Sequence, residues 1–469
     1  MTSFTDFNLH PSLQRAVADL GFTQPTPIQK DGIPPALDGR DVLGCAMTGS
    51  GKTAAFLLPI LQRLLSTPKR GVTRALVLAP TRELAAQIVE VFHDLAKHTP
   101  LKAAAIYGGV GMEPQEKALR RGVDVVVACP GRLLDHFQYP YARLDALEVL
   151  VLDEADRMLD MGFLPDIKRV LAHLPKVSQT LLFSATMPPA IRDLARQLLS
   201  NPVTLNVERP AAPATGVRQE LFPVRQDLKS ALLLELLRRG DDIQSALVFT
   251  RTKHRANRLA DYLSRHGVAC ERIHGNRSQA QRTQALAGFK SGQYKVLVAT
   301  DVAARGIDVE ALSHVVNFDV PNIPEDYIHR VGRTARAGAT GEAFTFVSPD
   351  EEGELRAIER AVGKTLPRRK VEGFNYDSKP AERLEIPIQE RIAEIRARKA
   401  EERARAKAKA ERKAAAETTK AAKPAKPAAP ARTTAPAQAP ARHPGVRLRS
   451  SDLQQPQAAA PSRNRRRRR

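Results

Sequence analysis

The chain has 469 residues, 42% of them hydrophobic, which is enough for two or three domains with ordinary cores. Its 73 Lys and Arg against 51 Asp and Glu leave a formal charge of +22, an excess that points to a polyanionic partner, most often nucleic acid. Cys45, Cys129 and Cys270 lie far apart and suggest neither a disulfide framework nor a zinc site. Met1 leads into polar sequence with no apolar stretch long enough for a signal peptide or membrane span, so a cytoplasmic protein is expected. Aromatics are 5% and Trp is absent, which suits contacts to a sugar–phosphate backbone better than base stacking.

In chain order, short apolar runs at 41–45, 74–79, 124–128, 149–152 and 180–183 each end in a polar or Gly-containing segment and lead into a helix-like stretch. This is the βα alternation of a buried parallel sheet, whose ligands sit at the carboxyl ends of the strands. The segment 210–216 is rich in Pro and Ala and reads as a linker. A second βα series follows, with strands expected at 245–249, 295–299, 314–318 and 342–347. The fold class is α/β, in two tandem domains at 1–207 and 218–370 joined by a linker at 208–217, with a cleft between them. Residues 371–469 form a basic, low-complexity tail, partly helical and then disordered. It carries 25 Lys and Arg against 11 Asp and Glu, a net of +14, so more than half of the excess charge lies there.

The strongest motif is Ala46-Met47-Thr48-Gly49-Ser50-Gly51-Lys52-Thr53, placed between a strand and a helix-like run. Small residues let backbone N–H groups face phosphates, and the following helix N-terminus favours negative charge. Lys52 would reach the β- and γ-phosphates and the Thr53 hydroxyl would bind Mg²⁺. Asp153-Glu154-Ala155-Asp156 follows the run 149–152. A carboxylate at a strand end beside a phosphate loop is a second Mg²⁺ anchor. Asp153 takes that role, and Glu154 orients or deprotonates the attacking water.

Together these motifs resemble motifs I and II of the DEAD-box family of ATP-dependent RNA helicases, over about residues 4 to 370. The resemblance implies two RecA-like domains, with ATP and Mg²⁺ as cofactors and RNA as partner. Phe22 with Pro25-Thr26-Pro27-Ile28-Gln29 resembles the family's Q motif, which implies that Gln29 reads the adenine edge and Phe22 stacks on the ring; Phe4 is the isolated upstream aromatic. Thr81 and Arg82 within 80–85, Gly109 after Gly108, and Pro130-Gly131-Arg132 match segments that line the RNA path. Cys129 stands where the family usually has Thr. Ser184-Ala185-Thr186 resembles motif III, which implies that the Ser184 and Thr186 hydroxyls bond to the Asp153-Glu154-Ala155-Asp156 turn and connect nucleotide state to RNA binding; Asp156 is grouped with them as a coupling residue.

In the second domain, His329-Arg330-Val331-Gly332-Arg333-Thr334-Ala335-Arg336 resembles motif VI. Arg333 and Arg336 are three apart and would share one helical face, so they are candidate arginine fingers on the γ-phosphate; His329 is grouped with the coupling residues. The segment 299–308 resembles motif V, which gives Thr300 an RNA phosphate and Gly306 and Asp308 the nucleotide, with Asp308 on the ribose hydroxyl. Arg251 and Gly275 complete the RNA set, with Gln279 and Arg282 nearby. The stretches 247–254 and 273–279 most resemble the bacterial RhlE-type subgroup, which implies a role in ribosome assembly or RNA turnover. The tail is expected to hold RNA non-specifically through phosphates.

Overall fold

A computed structural model describes residues 3–46, 49–206, 216–240, 242–304, 309, 312–335 and 340–378. The chain divides into units Met1–Pro387 and Ile388–Arg469. All described residues belong to the first. Of the tail expected at 371–469, residues 371–378 are described, and Val371, Phe374 and Tyr376 pack against the core of the second lobe, so that lobe extends past residue 370; the rest of the tail lies outside the described residues.

The first sheet contains β1 (Val42–Cys45), β2 (Ala75–Leu78), β3 (Ala103–Ile106), β4 (Val125–Ala128), β5 (Val149–Leu152), β6 (Gln179–Ser184) and β7 (Val203–Asn206). They are hydrogen-bonded in the order β3-β4-β2-β5-β6-β1-β7, and every pairing is parallel. The second sheet contains β8 (Val217–Pro223), β9 (Ala246–Thr250), β10 (Cys270–Ile273), β11 (Val296–Thr300), β12 (His314–Asn317) and β13 (Gly341–Val347). Its order is β10-β11-β9-β12-β13-β8, again all parallel.

Period-two alternation sorts the strand side chains between the faces of each sheet. In the first, Ala75, Val77, Val125, Val127, Val149 and Val151 pack on one side. Leu76, Leu78, Val126, Leu150, Leu152 and Leu182 pack on the other. In the second, Ala246, Val248, Val296 and Val298 face one layer of helices, and Leu247, Phe249, Leu297 and Ala299 face the opposite layer. Both faces are buried, so the central strands are nearly continuous apolar runs. The polar residues that follow them are gathered along one edge of each sheet. Among the described residues, no helix is long and apolar enough to cross a membrane.

One buried charge cluster fixes the opposite end of the first sheet. Arg74, 1% exposed, precedes β2, and Glu148 precedes β5. Arg74 binds Glu148 through Nε at 2.8 Å and Nη2 at 3.0 Å. Lys69 at 2.8 Å and Arg63 at 3.1 Å complete the cage. The Arg74 hydrogen bond, followed by those of Lys69 and Arg63, holds the Glu148 carboxyl down at about 2, against the opposing effect of burial. A carboxyl depressed in the folded state stabilises fully above its unfolded value and stops doing so as pH falls through the folded one. Glu148→Gln is therefore expected to cost about 3 kcal/mol near neutral pH. In urea titrations the difference from wild type should vanish as pH falls from the ordinary carboxyl range towards 2; a pH-independent difference would contradict this electrostatic origin.

Candidate nucleotide and nucleic-acid site

Beyond β1, Gly49 and Gly51 take positive φ values of 83° and 92°. Gly51 caps the helix Lys52–Ser66. This backbone is held from outside by the first turn of the helix Pro27–Leu37. The Thr26 hydroxyl donates to the Ser50 carbonyl at 2.8 Å, and Gln29 Nε2 donates to the Gly51 carbonyl at 3.1 Å. Gln29 Oε1 accepts from the Thr26 N–H at 2.9 Å, so both ends of the amide are engaged with backbone. Gln29 thus braces the phosphate loop in addition to whatever ligand it meets. Phe22 is 37% exposed, its ring 5.8 Å from that of buried Phe4. Thr48 lies outside the described residues.

Lys52 opens the helix and Asp153 follows β5, and both are buried. Lys52 Nζ stands 3.8 Å from Asp153 Oδ1, and neither atom has a hydrogen-bond partner. Burial raises the Asp153 carboxyl above its ordinary value; Lys52 opposes this and the charge of Glu154 adds to it. A cation and a carboxylate left this close, dry and unsatisfied fit an incoming anion and its divalent counter-ion. Thr53, half-buried, is the next residue of the same helix turn.

Glu154 adopts the left-handed conformation, φ 54° and ψ 52°, at a cost of roughly 1–2 kcal/mol for a residue with a Cβ. That turn points its carboxylate at Arg157, whose Nη1 donates to Oε2 at 2.9 Å, both side chains buried. Asp156 belongs to a closed ring with motif III. The Asp156 N–H donates to Ser184 Oγ at 3.1 Å, and Ser184 Oγ donates to the Thr186 carbonyl at 2.7 Å. Thr186 returns its N–H and hydroxyl to Asp156 Oδ2 at 2.8 and 3.0 Å. The Ala46 N–H donates to the Ser184 carbonyl, so the ring also reaches the start of the phosphate loop.

The second lobe meets this assembly through the segment after β12. Arg157 lines one pocket with His329, Arg330, Arg333, Asp301 and Phe249. Burial lowers the His329 imidazole, as does the charge of Arg157, with Asp156 acting in the other direction. Arg330 is an anchor: its guanidinium grips both Asp301 oxygens at 2.6 and 2.8 Å, Asn317 Oδ1 at 3.0 Å and the Asp319 carbonyl at 2.8 Å. The expected helical face shared by Arg333 and Arg336 is not found. The helix Pro324–Val331 ends before Arg333. Thr334 instead forms a bridge with Leu312, and its hydroxyl donates to the Leu312 carbonyl; Ala335 turns to φ 54°. This tertiary pairing overrides the local helical spacing. Arg333 is 3% exposed. Arg336, Gly306 and Asp308 lie outside the described residues.

The other expected contacts fall on strand ends and helix starts. Thr81 caps the helix Arg82–Leu95, accepting from the Leu84 N–H at 3.3 Å. Gly109 has φ 82°, and the guanidinium of Arg82 packs against it. Arg132 reaches the neighbouring Val110 carbonyl at 3.4 Å. Pro130 starts the helix Pro130–Phe137; a Cβ on Gly131 would meet open space, as it would at Gly275. Cys129, the residue before it, makes no side-chain cap, and burial pushes its thiol up to about 12. Thr300 ends β11, 9% exposed. Arg251 donates to the Val320 carbonyl at 3.1 Å and lies 3.6 Å from Glu351, so part of its guanidinium is committed within its own lobe.

Four residues with no role assigned from sequence hold this arrangement: Thr26, Arg157, Arg330 and Glu83. Glu83, next to Arg82, receives Gln279 Nε2 at 3.2 Å and pairs with Arg282 Nε at 2.9 Å, joining the lobes beside the RNA-path segments. Only Thr26 had a legible signal, the T-x-x-Q spacing of a capping box with Gln29.

A family profile described as DEAD/DEAH box helicase matches residues 26–194. One described as helicase conserved C-terminal domain matches residues 228–338. The chain is 45% identical over 371 residues to the DEAD-box ATP-dependent RNA helicase CshA of Bacillus cereus, covering 78% of this chain and 70% of that protein. It is 44% identical over 371 residues to CshA of Bacillus subtilis, covering 78% and 74%. Among solved structures, S. cerevisiae Dbp5 bound to RNA and ADP BeF3 is similar with a TM-score of 0.72 and 34% identity, over 79% of this chain and 96% of that one.

A Cβ at Gly51 would sit 2.6 Å from Gln29 Nε2 and 2.8 Å from Thr26 Oγ1, on a backbone with φ +92°. Gly51→Ala is expected to destabilise the protein by roughly 1–3 kcal/mol. Chemical denaturation measures it, and an unchanged midpoint would show that the brace is absent in solution.

Proposed function

The chain belongs to the DEAD-box family of ATP-dependent RNA helicases, and we propose that it holds one ATP between its two lobes and couples its hydrolysis to local, non-sequence-specific unwinding of short RNA duplexes. The observation that carries this reading is the buried pair of Lys52, at the start of the helix after β1, and Asp153, at the end of β5, with Nζ and Oδ1 3.8 Å apart and neither atom hydrogen-bonded. Lys52 holds the β- and γ-phosphates, against the N–H groups of Gly49, Ser50 and Gly51. Thr53 and Asp153 would hold Mg²⁺, a hard cation suited to oxygen ligands, which when bound neutralises phosphate charge. Phe22 stacks on the adenine and Gln29 reads its edge while bracing the loop. Glu154 orients the attacking water, held in place by Arg157.

The second lobe supplies Arg333 and Arg336 to the γ-phosphate, with Gly306 and Asp308 on the nucleotide. RNA runs over Thr81, Arg82, Gly109, Pro130, Gly131 and Arg132 of the first lobe and over Arg251, Gly275 and Thr300 of the second. The two ligands each span both lobes. Each therefore favours the closed arrangement, and linkage makes their binding mutually cooperative. The ring of Asp156, Ser184 and Thr186, with His329 facing it, carries nucleotide state towards the RNA side.

The process is proposed as ribosome assembly or RNA turnover in the cytoplasm. The RhlE-like stretches 247–254 and 273–279 support that assignment; the curated relatives reported above carry the name CshA. The basic tail adds phosphate contacts that weaken with salt.

Lys52→Ala should lower RNA-stimulated ATP hydrolysis by about a hundredfold or more, since the lysine acts on charge that develops at the phosphates. Glu154→Gln should keep nucleotide affinity and lose turnover by roughly 10²–10⁴-fold. Steady-state phosphate release with RNA and with DNA of equal length checks both. Near-normal turnover in either variant would remove that residue from its role, and equal stimulation by DNA would favour a DNA helicase.

A further inference from the structure

At the end of the second sheet remote from the nucleotide cleft, where the strands begin, three metal-ligating side chains converge. His314 opens β12 and Glu342 is its register partner on β13. Asp242 stands in the turn before β9. One ligand atom from each lies within 4.8 Å of the others. His314 Nε2 is 3.4 Å from Glu342 Oε2 and 4.0 Å from Asp242 Oδ2.

The imidazole is built in. His314 is 2% exposed, and its Nε2 makes no hydrogen bond. Its other nitrogen, Nδ1, is 3.1 Å from Ser313 Oγ. The Ser313 hydroxyl donates to the Ser245 carbonyl at 2.7 Å and accepts from the N–H groups of Gln244 at 3.1 Å and Ser245 at 2.9 Å, so it stands rigidly beside the ring. The tautomer with its proton on Nδ1 leaves the Nε2 lone pair aimed between two carboxylates. A histidine whose far nitrogen donates to a protein oxygen is the usual arrangement of a metal ligand. Burial also lowers the imidazole from its ordinary value, against the pull of Glu342 and Asp242, which favours the neutral ligand form. Nε2 faces two carboxylate oxygens that a bridging cation would share.

We propose that His314, Glu342 and Asp242 form a divalent-metal site that takes Zn²⁺ and pins the turn before β9 to the starts of β12 and β13. Tetrahedral zinc with bonds of about 2.0–2.1 Å sets its ligand atoms about 3.3 Å apart. The histidine–Glu342 spacing already matches. Asp242, its side chain 71% exposed, closes the remaining gap by a rotamer change and leaves the fourth position to water. The imidazole favours zinc over Mg²⁺ or Ca²⁺, which take all-oxygen sets. This site shares no residue with the nucleotide cleft.

The test uses the full chain, stripped with a chelator and free of nucleotide, titrated with Zn²⁺ by calorimetry, with metal content measured after gel filtration. One tightly held Zn²⁺ per chain is expected, unaffected by excess Mg²⁺, together with a thermal midpoint raised by the metal. Asp242→Asn, at an exposed turn, and Glu342→Gln should each weaken binding by roughly tenfold or more and remove the thermal shift. Failure to retain stoichiometric Zn²⁺ would overturn the site and leave a plain histidine–carboxylate contact. Zinc retained equally by both variants would overturn it too, by assigning the metal elsewhere.

Discussion

The first lobe is organised around a buried, oppositely charged pair set too far apart to hydrogen-bond. Lys52 Nζ and Asp153 Oδ1 are buried 3.8 Å apart, and neither atom has a hydrogen-bond partner. Parallel strands β1 and β5, with β6 between them, end on the same side of the sheet and so bring the two residues that follow them together. Removing one partner of such a pair leaves an uncompensated buried charge, so each residue depends on the other. The remaining features of the first lobe serve that point. Thr26 and Gln29 fix the loop backbone from outside, and the left-handed Glu154 directs a second carboxylate beside the first.

The lobes touch on either side of this point, and the proposed coupling rests on those two sets of contacts. On the nucleotide side, Asp156, Ser184 and Thr186 form a ring whose members face His329 and Arg157. On the nucleic-acid side, Glu83 joins Gln279 and Arg282. Within the second lobe, Arg330 ties Asp301, Asn317 and Asp319 into one rigid unit, so a shift near Arg333 is carried to the end of β11.

The sequence displayed the centre of each sheet and concealed its margins. The central strands β2, β4, β5, β9 and β11 are apolar runs because helices cover both faces. The four strands that sequence patterning missed, β3, β7, β8 and β10, are the edge strands of the two sheets. Ala103-Ala104-Ala105 and Glu271-Arg272 are only half-buried, and small or charged residues there obscure the strand signal. The phosphate loop and the 153–156 motif were legible because small residues and carboxylates must occupy fixed positions at strand ends. Arg333 was misplaced on a helix because the bridge of Thr334 to Leu312 is tertiary and leaves no trace in local spacing. Glu83, Arg157 and Arg330 act through partners distant in sequence, which patterning along the chain does not reveal.

The central claim is that one nucleotide is held from both lobes and that RNA favours the same closure. Its most direct measurement is the affinity for a non-hydrolysable ATP analogue without and with saturating single-stranded RNA, paired with the reciprocal titration of RNA. The account predicts that each ligand tightens the other by the same factor, as linkage requires. An analogue affinity indifferent to RNA, in a protein that still binds both, would contradict it.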